Sequence, residues 1–249
     1  MGTTSKCTGS ARTAGLKETI DLDAASSLTG QGVFCSWSGG KDAYLAMHRA
    51  LRAGARPQAL LSMFDDEGKR SRGHRLPVAL LEQQAAALGL PLVTRATSWD
   101  DYEANFIAAL RELRERGVEA GVFGDIDLEP HREWVERVCE VAGLGCHLPL
   151  WKEPRRTLID ELLDLGVRAT VVAVRSDKLD GRFLGREVSQ ELVGELEAEG
   201  VDACGEEGEY HTLVTHGPLF AHAIPLAWDG ETLLDGGRFL NITTGGTES

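Results

Sequence analysis

Short apolar runs alternate with segments whose apolar residues recur at helical spacing, beginning at residue 31. The runs that predict strands are Val33–Ser36, Gln58–Phe64, Pro91–Arg95, Glu119–Phe123 and Gly145–Leu148. The segments that predict helices are Asp42–Ala53, Leu76–Leu88, Asp100–Arg116 and Pro130–Ala142. Strands separated by helices of about 10–15 residues are typical of an α/β fold, a parallel sheet with helices on both faces.

The pattern changes after Pro149-Leu150-Trp151, where strands become more frequent. Helices are predicted at Arg156–Leu165 and Glu187–Glu199, and strands at Arg168–Val174, Tyr210–Val214, Phe220–Leu226, Glu231–Leu234 and Arg238–Thr243. This mixture predicts a smaller C-terminal α+β domain. We therefore divide the chain into a flexible tail over residues 1–30, an α/β domain over residues 31–150 and a C-terminal domain over residues 151–249.

The loop between the first strand and the first helix carries the first candidate chemistry, with the sequence Ser-Trp-Ser-Gly-Gly-Lys-Asp over residues 36–42. A glycine turn in this place directs backbone N–H groups towards an anion. Ser38 offers a hydroxyl, Lys41 a positive charge, and Asp42 a carboxylate for Mg²⁺. The string is not a Walker A loop. It resembles the pyrophosphate loop of N-type ATP pyrophosphatases, which split ATP into AMP and pyrophosphate. The alternative is a Gly-Gly turn beside a solvated lysine.

Two further strand ends carry polar residues, Asp65–Asp66 and Gly124–Asp127. Ligands of parallel sheets bind outside the carboxyl ends of the strands, so these residues are candidates to lie near the loop. The basic stretch Lys69–Arg75 is either a solvated loop or a group of cations that reaches ATP phosphates.

Composition limits the classes of partner. The chain has 249 residues, a net charge of −13 and no apolar run of the roughly 20 residues needed to cross a bilayer. The lack of such a run makes a membrane an unexpected partner. A protein of this charge repels polyanions overall, so nucleic acid is an unexpected partner as well. The five cysteines are Cys7, Cys35, Cys139, Cys146 and Cys204. Their odd number and the lack of a close pair predict free thiols and a cytoplasmic location. We expect Cys35 and Cys139 to be buried.

A second motif, Cys204–Val214, places Glu206, Glu207, Glu209 and a histidine, His211, before an apolar strand. Three acids so close together repel one another unless a cation or ligand offsets the charge. The alternative is a solvated acidic turn.

Taken in order, SGGKD, GDI and GEEGEYHTLV followed by GPLF resemble the diphthine–ammonia ligase family. The stretches Arg132–Cys139, Pro149–Trp151 and Leu179–Arg186 fit as well, so the resemblance covers roughly residues 31–225. It implies a HUP-type N-terminal domain that binds ATP and a smaller C-terminal domain that helps form the substrate site. Established members amidate the carboxylate of diphthine, a modified histidine of elongation factor 2. They consume ATP and ammonium and release AMP and pyrophosphate.

The chain departs from the pattern of the diphthamide-forming members, which resembles GEGGEYET at the second motif. It has Glu207 in place of a glycine and His211 in place of a glutamate, and Ala43 replaces a serine after the loop. The form with histidine resembles the bacterial branch of the family. The hosts of that branch lack diphthamide, and its members have been suggested to act near cobalamin metabolism.

The resemblance implies roles for individual residues. The residues expected to bind ATP are Ser36, Ser38, Gly39, Gly40, Lys41 and Asp42 at the phosphates, the backbone groups of Ser62, Met63 and Phe64 at the adenine, and Gly124 and Asp125 at the ribose or α-phosphate. Asp42 is the expected Mg²⁺ ligand, and Lys41, Glu206, Glu209 and His211 are the expected catalytic residues. Glu206 and Glu209 would hold ammonium or accept its proton, and His211 would act as a base. Alternatively Asp125 caps a turn, His211 only orients a glutamate, and His131 belongs to a helix start rather than to the site.

The resulting functional prediction is an AMP-forming ligase that activates a carboxylate, either small or protein-borne, as an acyl-adenylate for attack by ammonia. The alternatives are a sulfurtransferase acting on tRNA and a nucleotide-binding protein without turnover. The identity of the acceptor and the oligomeric state are left open, with a homodimer among the alternatives.

Overall fold

The computed structural model describes residues 28–243, so the predicted flexible tail lies almost wholly outside the described residues. Its first sheet has five parallel strands in the order β3-β2-β1-β4-β5. These are β1 Gly32–Ser36, β2 Arg56–Phe64, β3 Leu92–Ala96, β4 Ala120–Val122 and β5 Gly145–His147. The predicted parallel sheet is confirmed.

Four helices cover the two faces of this sheet. They are α1 Lys41–Arg52, α2 Val78–Leu88, α3 Tyr102–Glu115 and α4 Glu129–Ala142. Successive residues of a strand point to opposite faces, so Val33 and Cys35 of β1 pack in the cluster with α1 and α2. Phe34 packs on the other face in the cluster with α3 and α4. Cys35 and Cys139 are buried, as predicted.

The strand order places a crevice next to the glycine loop. The chain runs from β1 outwards to β2 and β3, then returns to β4 on the opposite side of β1. The loops that follow β1 and β4 therefore leave the sheet in opposite directions. Such a reversal is where open α/β sheets bind ligands.

The second sheet is antiparallel, in the order β7-β6-β9-β8. Its strands are β6 Arg168–Arg175, β7 Tyr210–His216, β8 Ala227–Leu234 and β9 Gly237–Thr243. The helices of this region are α5 Arg155–Asp164 and α6 Gln190–Ala198, with a 3₁₀ turn at Gly181–Phe183. The predicted α+β character is confirmed, and no helix within residues 28–243 is long and apolar enough to cross a bilayer.

Two predicted elements differ from the structure. Residues 220–226 form no strand, because Phe220 and Ile224 instead bury their side chains in the core and Pro225 has no N–H to donate to a ladder. The predicted helix at Glu187 begins at Gln190, since Glu187 pairs with Thr170 in an isolated bridge and the Ser189 hydroxyl caps the helix by accepting from Leu192 N–H.

The two sheets share one hydrophobic cluster and are joined by hydrogen bonds near the glycine loop. The Lys41 N–H donates to Thr212 Oγ1 over 3.1 Å, and the Val214 N–H donates to the Gly39 carbonyl over 2.9 Å. The buried Gln84 amide donates to the Val214 carbonyl over 2.7 Å. Strand β7 is therefore fixed directly against the start of α1, which brings the second motif to the glycine loop.

Candidate active site

The glycine loop adopts a shape that only small residues allow. Gly39 has a φ of +81°, and a Cβ there would lie 2.7 Å from Leu81 Cδ2. A Cβ on Gly40 would lie 2.6 Å from His74 Cε1 and 3.0 Å from the Thr212 carbonyl oxygen. Both glycines thus allow close packing behind the loop. Helix α1 begins at the next residue, so its positive end faces the crevice.

A cavity of about 240 Å³ opens between this loop, the end of β4 and the second motif. The predicted site residues that line it are Ser36, Ser38, Lys41, Asp42, Gly124, Asp125, Glu206 and His211. It is also lined by residues that the sequence did not assign to the site, among them His74, His131, Tyr210 and Thr212. The structure thus brings together the two motifs, which are separated by more than 160 positions in the chain.

The expected adenine-binding residues do not line this cavity. The Ser62 hydroxyl donates to the Trp37 carbonyl over 2.5 Å, and the Met63 carbonyl accepts from the Arg72 N–H over 3.0 Å. The Phe64 carbonyl accepts from the Thr97 N–H. The side chains of Ser62, Met63 and Phe64 are all buried.

Lys41 is buried between the two motifs rather than solvated. Its Nζ donates to Asp42 Oδ2 over 2.9 Å and to the Cys204 carbonyl over 2.5 Å, and it lies 5.1 Å from the centre of the Tyr210 ring. Burial acts to lower the pKa of Lys41, but the Asp42 carboxylate, Tyr210 and Cys204 together outweigh burial, and the pKa lies above its ordinary value. The lysine is therefore a permanent cation at the floor of the cavity.

The loop after β4 approaches α1 closely. A Cβ on Gly124 would lie 2.8 Å from the Asp42 carbonyl carbon and 2.9 Å from the Ala43 nitrogen. The next residue, Asp125, contacts His131 Nδ1 over 3.3 Å, and this hydrogen bond raises the pKa of His131. His131 lies in the first turn of α4 and also lines the cavity. A position at the start of the helix and a position in the site are therefore compatible.

Glu206 connects the second motif to the first sheet's loops. Its Oε1 accepts from the Ile126 N–H over 3.1 Å. The motif's backbone is held by Asp202, which accepts from the N–H groups of residues 204–206 and pairs with Arg155 over 2.8 Å. Burial, and then the nearby Asp42 charge, raise the pKa of Glu206 to about 7. This carboxyl can accept or release a proton near neutral pH.

His211 stacks on His74, with 4.5 Å between ring centroids and 25° between ring planes. His74 Nδ1 lies 3.0 Å from the Thr212 carbonyl, which can only accept, so this nitrogen carries the proton. Burial lowers the pKa of both rings, that of His211 to about 4. The pair is neutral at physiological pH.

Elsewhere in the basic stretch, Arg72 pairs with Asp66 and covers Trp99 instead of reaching the cavity.

Glu209 does not line this cavity, although the sequence groups it with Glu206. It is 6% exposed and contributes to a second cavity behind the motif.

The donor set of the first cavity fits a nucleotide triphosphate with Mg²⁺. Hydroxyls of Ser36 and Ser38, the start of α1 and Lys41 suit phosphate oxygens. Residues 28–243 hold no group of three or more acidic, histidine or cysteine side chains that could enclose a metal ion. Magnesium here would rely on Asp42 and on the phosphates themselves, which is its usual preference.

A parallel sheet of this order, with an anion-binding loop after β1 and a second domain over the crevice, is the architecture of a two-domain nucleotide-binding protein. Family models agree on a narrower assignment. Residues 32–146 match the diphthamide synthase N-terminal domain and residues 154–239 match the diphthamide synthase C-terminal domain. The chain belongs to the diphthamide synthase family.

Similar proteins include the diphthine–ammonia ligases of Mus musculus and Homo sapiens. Each is 27% identical over 216 residues, which cover 75% of this chain and 79% of the relative. The diphthine–ammonia ligase of Schizosaccharomyces pombe is 27% identical over 211 residues, and this chain spans only 35% of it. A solved structure, a predicted subunit of tRNA methyltransferase from Methanocaldococcus jannaschii, has a TM-score of 0.43 at 16% identity and covers 76% of this chain and 98% of its own. That score is too low to support an inference.

Proposed function

We propose that the chain is an ATP-dependent ligase that joins ammonia to a carboxylate and releases AMP and pyrophosphate. The observation that carries the proposal is the Glu206–Ile126 contact, which fixes an acid of the second motif at the loop after β4, in the same cavity that Ser38 and Lys41 of the glycine loop line. Family membership, with relatives that are diphthine–ammonia ligases, supports the reaction class.

The proposed first step is attack by the acceptor carboxylate on the α-phosphorus of ATP, with pyrophosphate as leaving group. Ser36, Ser38 and the N–H groups at the start of α1 bind the phosphate oxygens, and Lys41 offsets their charge. Mg²⁺, held by Asp42 and the phosphates, would stabilise the pyrophosphate that leaves.

In the second step ammonia attacks the acyl carbon, AMP leaves, and the nitrogen loses a proton. An ordinary glutamate is too weak a base to take a proton from an ammonium group efficiently. Glu206, whose pKa is raised to about 7, is better matched, and we assign it the base. His211 is neutral and stacked, so we assign it to the wall of the acceptor site.

Sulfur transfer is not favoured. Burial raises the pKa of Cys204 to about 12, and its Sγ donates to the Arg155 carbonyl, so its thiol is a poor nucleophile. Contrary to the sequence expectation, Cys139 and Cys146 lie side by side, and their contact raises the pKa of Cys146. Neither residue lines the cavity.

The test is product analysis with ATP labelled at the α-phosphate, Mg²⁺, ammonium chloride and candidate carboxylic acids. We expect repeated turnover, with AMP and pyrophosphate formed in equal amounts, only when ammonium and the right acid are both present. ADP with orthophosphate as the main products would contradict the proposal.

The cytoplasmic location and the assembly state, a homodimer among the alternatives, stay predictions.

A further inference from the structure

A second cavity, of about 410 Å³, lies behind the loop that carries the second motif. Alternate residues of this loop face opposite sides. Glu206, Gly208 and Tyr210 line the first cavity, whereas Glu207 and Glu209 line the second. The loop is therefore a wall one chain thick between the active-site cavity and this second space.

The second cavity is acidic. Its acidic lining residues are Asp177, Glu199, Asp202, Glu207 and Glu209. Its cations are Arg155 and Lys178, and Arg155 is already engaged by Asp127 and Asp202. Among the ion pairs of residues 28–243, none includes Glu207 or Glu209. Asp177 pairs with Arg175, Glu199 with Arg182 and Asp202 with Arg155. Within residues 28–243, the acids of this cavity without an ion pair are therefore Glu207, which is exposed, and Glu209, which is buried.

Glu209 is the strongest indication of a ligand. The residue is 6% exposed, and its Oε2 is shielded from solvent and has no hydrogen-bond partner within the described part of the chain. Its backbone carbonyl accepts from the Arg175 N–H over 2.9 Å, which fixes the residue in this position. A buried carboxylate oxygen without a donor is costly, and a bound cation removes that cost.

We propose that this cavity is a binding site for a small monovalent cation, with Glu209 as its carboxylate ligand and ammonium as the cation that it supplies to the reaction. The assignment of ammonium rests on the proposed function. A divalent ion is disfavoured, because residues 28–243 present no group of three or more ligating side chains and such ions prefer several carboxylates. Glu209 is thus a residue of a supply site, separated by the loop from Glu206 at the reacting atoms.

The decisive experiment is anomalous diffraction from crystals of the full chain soaked in rubidium chloride, since Rb⁺ has the charge of ammonium and a similar size. We expect a peak beside Glu209 Oε2 that ammonium chloride displaces and sodium chloride does not. Glu209→Gln, which keeps the shape and removes the charge, should abolish the peak. Glu207→Gln, a change of an exposed acid in the same wall, should retain it. Potassium chloride provides the arm that separates a structural potassium site from an ammonium site.

The proposal is overturned if no peak forms, if the peak survives in Glu209→Gln, if it forms only in the first cavity, or if potassium displaces rubidium and ammonium does not. Displacement by ammonium is measured on the wild-type chain, so this test remains valid even if a variant folds poorly. None of these measurements needs ATP or an acceptor, so a failure here is distinct from a failure of AMP formation.

A kinetic measurement separates a supply role from a structural one. Once an acceptor supports turnover, Glu209→Gln should raise the KM for ammonium by about tenfold, the loss expected for one charge-assisted hydrogen bond. The KM for ATP and the kcat at saturating ammonium should be unchanged. A fall in kcat with the ammonium KM unchanged would contradict the supply role.

Discussion

Glu206 is the residue whose protonation couples folding to the proposed chemistry. Its pKa is raised from 4.5 to about 7 by burial and by Asp42. Between pH 4.5 and about pH 7, the folded protein therefore binds more protons at Glu206 than the unfolded chain does. The free energy of unfolding therefore falls as pH rises from 4.5 to about 7, and the full penalty remains above that. The buried Glu206 carboxylate lowers the free energy of unfolding at neutral pH, and the same burial makes it a base matched to neutral pH.

Replacing Glu206 by Gln tests this coupling. The amide oxygen can still accept from the Ile126 N–H, but no charge is buried. We expect Glu206→Gln to be more stable than the parent by about 1–2 kcal/mol at pH 8, a value discounted for partial exposure, and equally stable below pH 4.5. Urea unfolding at both pH values measures the difference. Glu207→Gln, at an exposed neighbour, is the control, and a pH-independent difference in Glu206→Gln would contradict the assignment.

Lys41 supports the fold and belongs to the proposed phosphate site. Lys41→Met keeps most of the side-chain volume but leaves the Cys204 carbonyl without its donor and Asp42 without its pair. We expect a loss of about 3 kcal/mol in stability and at least about a tenfold loss in ATP affinity. Urea unfolding and calorimetry measure the two effects. The control is Lys69→Met, at a lysine whose side chain is 75% exposed, which should change neither stability nor ATP affinity. Normal ATP binding by folded Lys41→Met would exclude Lys41 from the proposed phosphate site.

At the scale of elements, the approach of the β4 loop to α1 determines the width of the crevice. Gly124→Ala would force a Cβ to within 2.9 Å of backbone atoms of Asp42 and Ala43, which a side-chain rotation cannot relieve. We expect the variant to unfold at lower temperature and to bind ATP more weakly, by about tenfold, because α1 must move. Gly194→Ala is the matched control, since a Cβ in α6 meets nothing within 4 Å and alanine should stabilise this helix by about 1 kcal/mol. Equal ATP affinity in the two variants would contradict this role of Gly124.

The elements of the first sheet could be predicted because their signals are local. Periodicity and a glycine loop fix which residues form β1 and α1, and with them the neighbours Ser38, Lys41 and Asp42. His74 could not be predicted in the same way, because its contact with His211 arises when a long loop folds onto β7. Glu209 shows the limit most directly. Its place three residues after Glu206 suggested a shared role, whereas the backbone direction at the start of β7 turns it towards another cavity.

At the scale of the whole molecule, the two domains divide the proposed work. The first sheet carries the groups that fit the triphosphate, and the C-terminal domain contributes Glu206, Tyr210 and His211 to the same cavity. A change in the second motif should therefore alter which acceptor binds more than how ATP is cleaved. His211 is such a change, because this chain has a neutral imidazole at the position where the pattern of the diphthamide-forming members has a glutamate. The proposed acceptor site would then carry one negative charge fewer than it would with a glutamate at this position.

This difference predicts an acceptor other than diphthine. The test is expression in a fission yeast strain that lacks its own diphthine–ammonia ligase, followed by mass spectrometry of elongation factor 2. We expect diphthine to persist with the unmodified chain, although the purified protein forms AMP with its own acceptor. The control is the strain's own ligase, which restores diphthamide. The His211→Glu variant should shift the preference towards diphthine, because it returns a carboxylate to the acceptor wall, with Lys41 near enough to offset its burial. Efficient conversion of diphthine by the unmodified chain would show instead that His211 does not set the acceptor.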